Sequence, residues 1–138
     1  DTFLHGGSGD DALKVTTGSN VLDGGDGSNF LVGGTGGDGG HDTFFVDART
    51  SAPTWSTIVN FHAGDQVTIW GFQAASSTTN WVGQSGIAGF TGATLQAQVN
   101  GHDSSVTFAG VSDAEANQFA FSSGTASGQN YLLITRLS

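Results

Sequence analysis

Apolar residues are distributed in two different ways along this chain. From about residue 43 onward they gather in short β-branched and aromatic runs: Thr43-Phe44-Phe45-Val46, Thr57-Ile58-Val59-Asn60-Phe61, Val67-Thr68-Ile69-Trp70, Ser105-Val106-Thr107-Phe108 and Tyr131-Leu132-Leu133-Ile134-Thr135. Gly, Asn, Asp and Ser punctuate them, the pattern of short strands between turns. Before residue 43 the apolar content thins to groups of two or three residues around each leucine, set among glycine and polar residues. One helix start is visible. Ser112-Asp113-Ala114-Glu115 is a capping box, with Ser112 as N-cap, and it predicts one or two turns reaching Asn117. The pattern predicts an all-β chain with at most one short helix.

The leucines of the first part keep a fixed interval. Written in nines, residues 6–14 read Gly-Gly-Ser-Gly-Asp-Asp-Ala-Leu-Lys, and residues 15–23 read Val-Thr-Thr-Gly-Ser-Asn-Val-Leu-Asp. Residues 24–32 read Gly-Gly-Asp-Gly-Ser-Asn-Phe-Leu-Val, and residues 33–38 begin again as Gly-Gly-Thr-Gly-Gly-Asp. Glycine recurs at the fourth position (Gly9, Gly18, Gly27, Gly36). Asp or Asn recurs at the sixth (Asp11, Asn20, Asn29, Asp38), and leucine at the eighth (Leu13, Leu22, Leu31). A flexible linker has no reason to carry three coincident columns. A six-residue turn followed by a three-residue strand fits the period, with the eighth residue pointing inward.

Composition narrows the chemistry. The chain has 138 residues, enough for one domain or a domain with an appended module. Its net charge is −9, with only Lys14, Arg49 and Arg136 basic, so no basic patch for nucleic acid or an anionic membrane can form. Eight of the twelve acidic residues lie within 1–47, and thirteen of the 23 glycines within 6–40. The absence of cysteine excludes disulfides and thiolate sites. No apolar run approaches the ~20 residues of a membrane span, and no Sec-type signal pattern opens the sequence.

Glycine turns of this kind aim carbonyl oxygens at a common point, and the sixth-position Asp adds a carboxylate. Mixed carboxylate and carbonyl oxygen suits Ca²⁺, which takes six to eight loosely arranged oxygens; Mg²⁺ demands a tighter octahedron. Three buried leucines cannot offset the entropy of ordering so glycine-rich a segment, and stacked acidic turns repel one another. A bound cation supplies the missing term, which makes folding and metal binding one reaction.

The nonapeptide Gly-Gly-x-Gly-x-Asp-x-U-x, with U a large apolar residue, resembles the hemolysin-type calcium-binding repeat of RTX (repeats-in-toxin) proteins. The resemblance covers residues 1–47 and continues through Ile58-Val59-Asn60-Phe61-His62-Ala63-Gly64-Asp65-Gln66-Val67-Thr68-Ile69. It implies a parallel β-roll over 1–47, continued by a β-rich capping region over 48–138. Two repeats would complete one turn, so repeat n faces repeat n+2. Asp11 then lies opposite Gly24–Asn29 with Asp26 close by, Asn20 opposite Gly33–Asp38, and Asn29 opposite Gly39-Gly40-His41-Asp42. The implied ligands are Asp11, Asp26, Asp38 and Asp42, completed by Asn20, Asn29 and the carbonyls of Gly7, Gly9, Gly25, Gly27, Gly34 and Gly36. Asp103, Asp113 and Glu115 fall outside the repeat.

Departures from the repeat lower the expected ion count to two to four. Asn at 20 and 29 is neutral, Val15-Thr16-Thr17 replaces a Gly-Gly-x, and an extra residue leaves Asp38 and Asp42 competing for one role. Asp65 reads equally as a late calcium ligand or a turn residue.

Nothing in the chain reads as a catalytic centre. His41-Asp42 and His102-Asp103 read as turn residues, and the four histidines have no zinc-binding spacing. Trp55, Phe61, Trp70, Phe72 and Trp81 read as core or strand-pair residues ahead of a carbohydrate platform. The expected function is that of a non-enzymatic, extracellular calcium-binding module that stabilises or attaches a larger secreted or cell-surface assembly. The alternative is the calcium-binding C-terminal part of a secreted protease, lipase or polysaccharide-modifying enzyme. The resemblance implies type I secretion from a bacterium. Asp1-Thr2-Phe3-Leu4-His5 looks like the tail of a preceding repeat, so the chain is expected to begin inside an array.

Overall fold

The ninth-spaced leucines sit at the centres of three-residue strands. The computed structural model describes residues 1–37, 39–50 and 52–137. In chain order the strands are β1 (Phe3–His5), β2 (Ala12–Lys14), β3 (Val21–Asp23), β4 (Phe30–Val32), β5 (Thr43–Asp47), β6 (Thr54–Val59) and β7 (Gln66–Trp70). Then come β8 (Thr78–Ser85), β9 (Gly92–Val99), β10 (His102–Ala109), helix α1 (Asp113–Ala116), β11 (Ala120–Ala126) and β12 (Gln129–Thr135).

Successive early strands alternate between two six-stranded sheets. One has the order β1-β3-β5-β7-β12-β11 and the other β2-β4-β6-β10-β9-β8. Neighbours are parallel from β1 to β7 and from β2 to β10, and antiparallel beyond. The alternation follows from the turn: six residues of glycine-rich chain are too few to lay the next strand parallel beside the last in the same sheet, but they reach the opposite one.

Register carries each leucine column across a whole sheet. In the first, Leu4 pairs Leu22, Leu22 pairs Phe44, Phe44 pairs Val67 and Val67 pairs Ile134. In the second, Leu13 pairs Leu31, Leu31 pairs Ile58, Ile58 pairs Phe108 and Phe108 pairs Ala93. From Leu22 and Leu31 onward these rungs are buried and belong to one core, with Leu13 packed against it. Phe61, Phe108 and Phe119 close its far end, with Phe61 and Phe119 rings 4.9 and 5.4 Å from Phe108. Phe45, by contrast, faces outward and is only half-buried, edge-on to Trp70 at 5.7 Å. It is one residue out of phase with Phe44, and alternation sends it to the other face.

The structure contains all five strands predicted from apolar runs, and adds β8, β9 and β11. These were hidden by small and polar residues, although Ala93, Leu95, Ala97 and Val99 alternate as a half-buried strand should. His102 and Asp103 lie in β10 and not in a turn. His102 is there because β10 pairs with β9 along its full length, from His102↔Val99 onward.

Helix α1 has the predicted capping box. The Glu115 backbone N–H donates to Ser112 Oγ at 3.1 Å, and the Ser112 N–H to Glu115 Oε1 at 2.9 Å. Arg136 Nη2 reaches Glu115 Oε2 at 2.7 Å, tying the helix to the chain after β12. Ser112→Ala is expected to lower stability by about 1 kcal/mol, read from urea unfolding. Among the described residues, no helix is long and apolar enough to cross a membrane.

Candidate metal centre

The turns of one sheet edge stack directly on one another. Gly27 adopts φ +93°, and a Cβ there would lie 2.5 Å from the Gly9 carbonyl oxygen and 2.9 Å from Asp10 Oδ1. Only glycine permits both that dihedral and that approach. Gly7 and Gly9 share the left-handed conformation with Gly25, Gly27 and Gly36. The Asp26 N–H donates to the Gly7 carbonyl at 3.0 Å, which ties the third repeat to the first.

Two ladders of side-chain hydrogen bonds run along these stacks. The sixth-position side chain of each repeat accepts from the backbone two repeats earlier. On one edge, Thr2 N–H donates to Asn20 Oδ1 at 2.9 Å, Asn20 N–H to Asp42 Oδ1 at 3.0 Å, and Asp42 N–H to Asp65 Oδ1 at 2.8 Å. On the other, Asp11 N–H donates to Asn29 Oδ1 at 2.8 Å and Asn29 N–H to Ser56 Oγ at 3.1 Å. Fifth-position side chains form a second ladder of opposite polarity. Ser19 N–H donates to Asp1 Oδ1, Ser28 N–H to Asp10 Oδ1, His41 N–H to Ser19 Oγ, and Trp55 N–H to Ser28 Oγ. The fifth position carried no motif residue, so the sequence reading passed over it. Its one signal is that Asp1, Asp10, Ser19 and Ser28 all bear a side-chain oxygen.

These ladders revise two of the expected pairings. Asn20 faces Asp42, and Asn29 faces Ser56 where the 39–42 turn was expected. The spacing grows from 18 residues between the first rungs to 22 and 27, because the loop before β5 is longer and the strands β5 and β6 extend beyond three residues. In the sixth-position column Asp42 follows Asn20, and the long turn folds back so that Gly34 N–H donates to Asp42 Oδ2 at 2.8 Å. Asp38 lies outside the described residues.

The remaining sixth-position groups differ in how their oxygens are used. Asn29 Nδ2 stands 3.4, 3.4 and 3.5 Å from the carbonyls of Gly25, Asp26 and Gly27, so its amide hydrogens face the carbonyl cluster of its own turn. Asn20 Nδ2 similarly reaches Thr17 O at 2.9 Å and Asp42 Oδ1 at 3.0 Å. Asp11 cannot donate. Its Oδ2 is buried and has no hydrogen-bond partner among the described residues. A Cβ built on Gly6 would lie 2.7 Å from that oxygen and 2.9 Å from the Gly24 carbonyl oxygen. The Asp11 carboxylate oxygen and the Gly24 carbonyl oxygen therefore both border the space that Gly6 leaves open. Asp26 is exposed one turn away. This donor set, all oxygen and bearing negative charge, fits a hard divalent cation.

Asp65 belongs to the same column as Asp42. It is fully buried, accepts Asp42 N–H on Oδ1 and His62 N–H on Oδ2 at 2.9 Å, and closes the turn before β7. Burial raises its pKa above the ordinary carboxyl range, against the opposing pull of the two N–H groups and His62; the Asp42 charge adds to the rise. The structure also brings together two histidines that are scattered along the sequence. His41, His62 and Asp65 have ligand atoms all within 4.8 Å of one another. The two histidines are 21 residues apart and meet because β5 and β7 pair side by side, Thr43 opposite Gln66.

Comparison with known proteins returned no match, whether against family models, curated proteins or solved structures.

Proposed function

We propose that residues 1–47 form a calcium-binding parallel β-roll, that the strands beyond residue 47 cap it, and that the module folds when it meets extracellular calcium. The observation that carries this reading is Asp11 Oδ2, buried without a partner beside the Gly24 carbonyl. An unpaired buried carboxylate oxygen is costly, and a cation removes that cost. The 18-residue parallel offset and the stacked left-handed glycines support the roll.

In this reading Asp11 and the Gly24 carbonyl hold the ion, with Asp26 and the carbonyls of Gly7 and Gly9 around them. Calcium supplies positive charge that joins two successive turns. Where Asn29 turns its amide hydrogens toward three carbonyls, the chain supplies that positive partial charge itself, so the turn depends less on an ion. Such a module acts without catalysis: it stabilises or attaches a larger secreted or surface assembly, and it stays unfolded where free calcium is scarce.

The test is circular dichroism during calcium titration of the chelated chain. Asp11→Ala is expected to raise the calcium midpoint by about tenfold, because a carboxylate leaves the coordination shell while folding remains linked to occupancy. Asp103→Ala is expected to leave it unchanged, since Asp103 accepts from Gln96 and Gln98 on β9, away from the repeat turns. Equal titration of both variants and the parent chain would remove the proposal.

A further inference from the structure

We propose that His41, His62 and Asp65 form a second metal site, for a transition-metal ion of the Zn²⁺ type, distinct from the calcium-binding turns. Its position comes from the fold. The turn His62–Asp65 is closed at both ends: Asp65 N–H donates to the His62 carbonyl at 3.0 Å, and His62 N–H to Asp65 Oδ2 at 2.9 Å. The β5–β7 register then lays His41 against Gly64. Gly36 and Gly64 leave room for the rings; a Cβ on Gly36 would lie 2.8 Å from His62 Nε2.

The hydrogen bonding of His62 defines what it presents. Its Nδ1 lies 3.1 Å from the Ala63 carbonyl, which can only accept, so Nδ1 bears the proton. In the neutral ring Nε2 is then a lone pair. That nitrogen is buried, has no hydrogen-bond partner among the described residues, and faces Asp65 Oδ2 at 3.5 Å. Two acceptors facing each other in a buried place repel unless a cation lies between them. A metal-bound histidine commonly donates its other N–H to a carbonyl, as this one does.

Distances favour a metal over a proton. The 3.5 Å separation is long for a hydrogen bond. It matches the edge of a tetrahedron with metal bonds of about 2.0–2.1 Å, which is about 3.4 Å. His41 is exposed, so its ring is free to turn and close the remaining span, which is at most 4.8 Å. Two imidazoles and one carboxylate suit zinc and its neighbours, whereas calcium takes oxygen. Three protein ligands leave a fourth position for water or a partner's side chain.

The test uses the full chain at saturating calcium. Equilibrium dialysis with Zn²⁺ is expected to give one tight equivalent, and Co²⁺ in its place the intense visible bands of a tetrahedral ion. His41→Ala and His62→Ala are each expected to weaken zinc binding at least tenfold. His41 is exposed, so its variant keeps the fold. His5→Ala, which removes the surface pair with Asp23, is expected to change nothing. Absence of a stoichiometric zinc ion, an octahedral Co²⁺ spectrum, or unchanged affinity in His41→Ala would each overturn the proposal and leave His62–Asp65 as an ion pair. The readout is independent of the calcium reading, because a chain that folds without calcium still presents these three ligands.

Discussion

A chain ended after Val46 is expected to gain no cooperative β-structure at any calcium concentration. The cut removes β6 and β7, which pair with the whole of β4 and β5. Leu31 loses Ile58 from its rung, and Phe44 loses Val67. Each large apolar side chain returned to water forfeits about 1.5–3 kcal/mol, and whole domains are stable by only about 5–15 kcal/mol. The polar ladders lose their last rungs as well, since Ser56 and Asp65 accept from Asn29 and Asp42. Both sheets would present unpaired edges above a bare core. Far-ultraviolet circular dichroism of the truncated chain, titrated with calcium beside the full chain, measures this. A full calcium-induced β signal in the short chain would show that the repeats stand without the strands that follow them.

Asp42→Ala is expected to destabilise the protein by at least about 3 kcal/mol at saturating calcium, by urea unfolding. Asp42 is 1% exposed and accepts three hydrogen bonds: from Asn20 N–H, from Asn20 Nδ2 and from Gly34 N–H. Alanine leaves those donors buried, and each unsatisfied group costs about 1–3 kcal/mol. Asp42→Asn keeps an acceptor toward Asn20 but turns an amide N–H₂ toward the Gly34 N–H, so it is expected to recover part of the loss. Stability equal to the parent in Asp42→Ala would mean that the column of sixth-position side chains contributes nothing. Because calcium is saturating throughout, this measurement reads the ladder, whereas the titration of Asp11→Ala reads the ion.

Much of the fold was legible because periodic patterns report local geometry. The nine-residue interval places one leucine per strand, and Leu22 and Leu31 are buried for that reason. The apolar runs after residue 43 announced five strands, and the capping box announced α1. The three strands without such runs were missed where burial is shared with small residues, as at Ala93 and Ala97, which a count of large apolar side chains overlooks.

The site divides in the same way. Residue types alone pointed to oxygen ligands in the repeat turns, because carboxylates and glycines at fixed spacing carry that chemistry wherever the chain puts them. Which oxygens are satisfied within the protein is a different matter. Asp11 Oδ2 lacks a partner among the described residues while both oxygens of Asp42 are bonded, although each is the sixth-position aspartate of its own ladder. That difference arises from loop length: the long turn before β5 returns Gly34 to Asp42, and no such turn returns to Asp11. The meeting of His41 with His62 and Asp65 has the same origin, since residues 21 or more apart become neighbours only through strand pairing. The sequence by itself determined an all-β chain, its repeat, its inward leucines and an acidic turn chemistry, all of which follow from spacing within nine residues. Only the tertiary structure decided which side chains face each other across turns, because register between strands depends on loop lengths and on packing that no local pattern records.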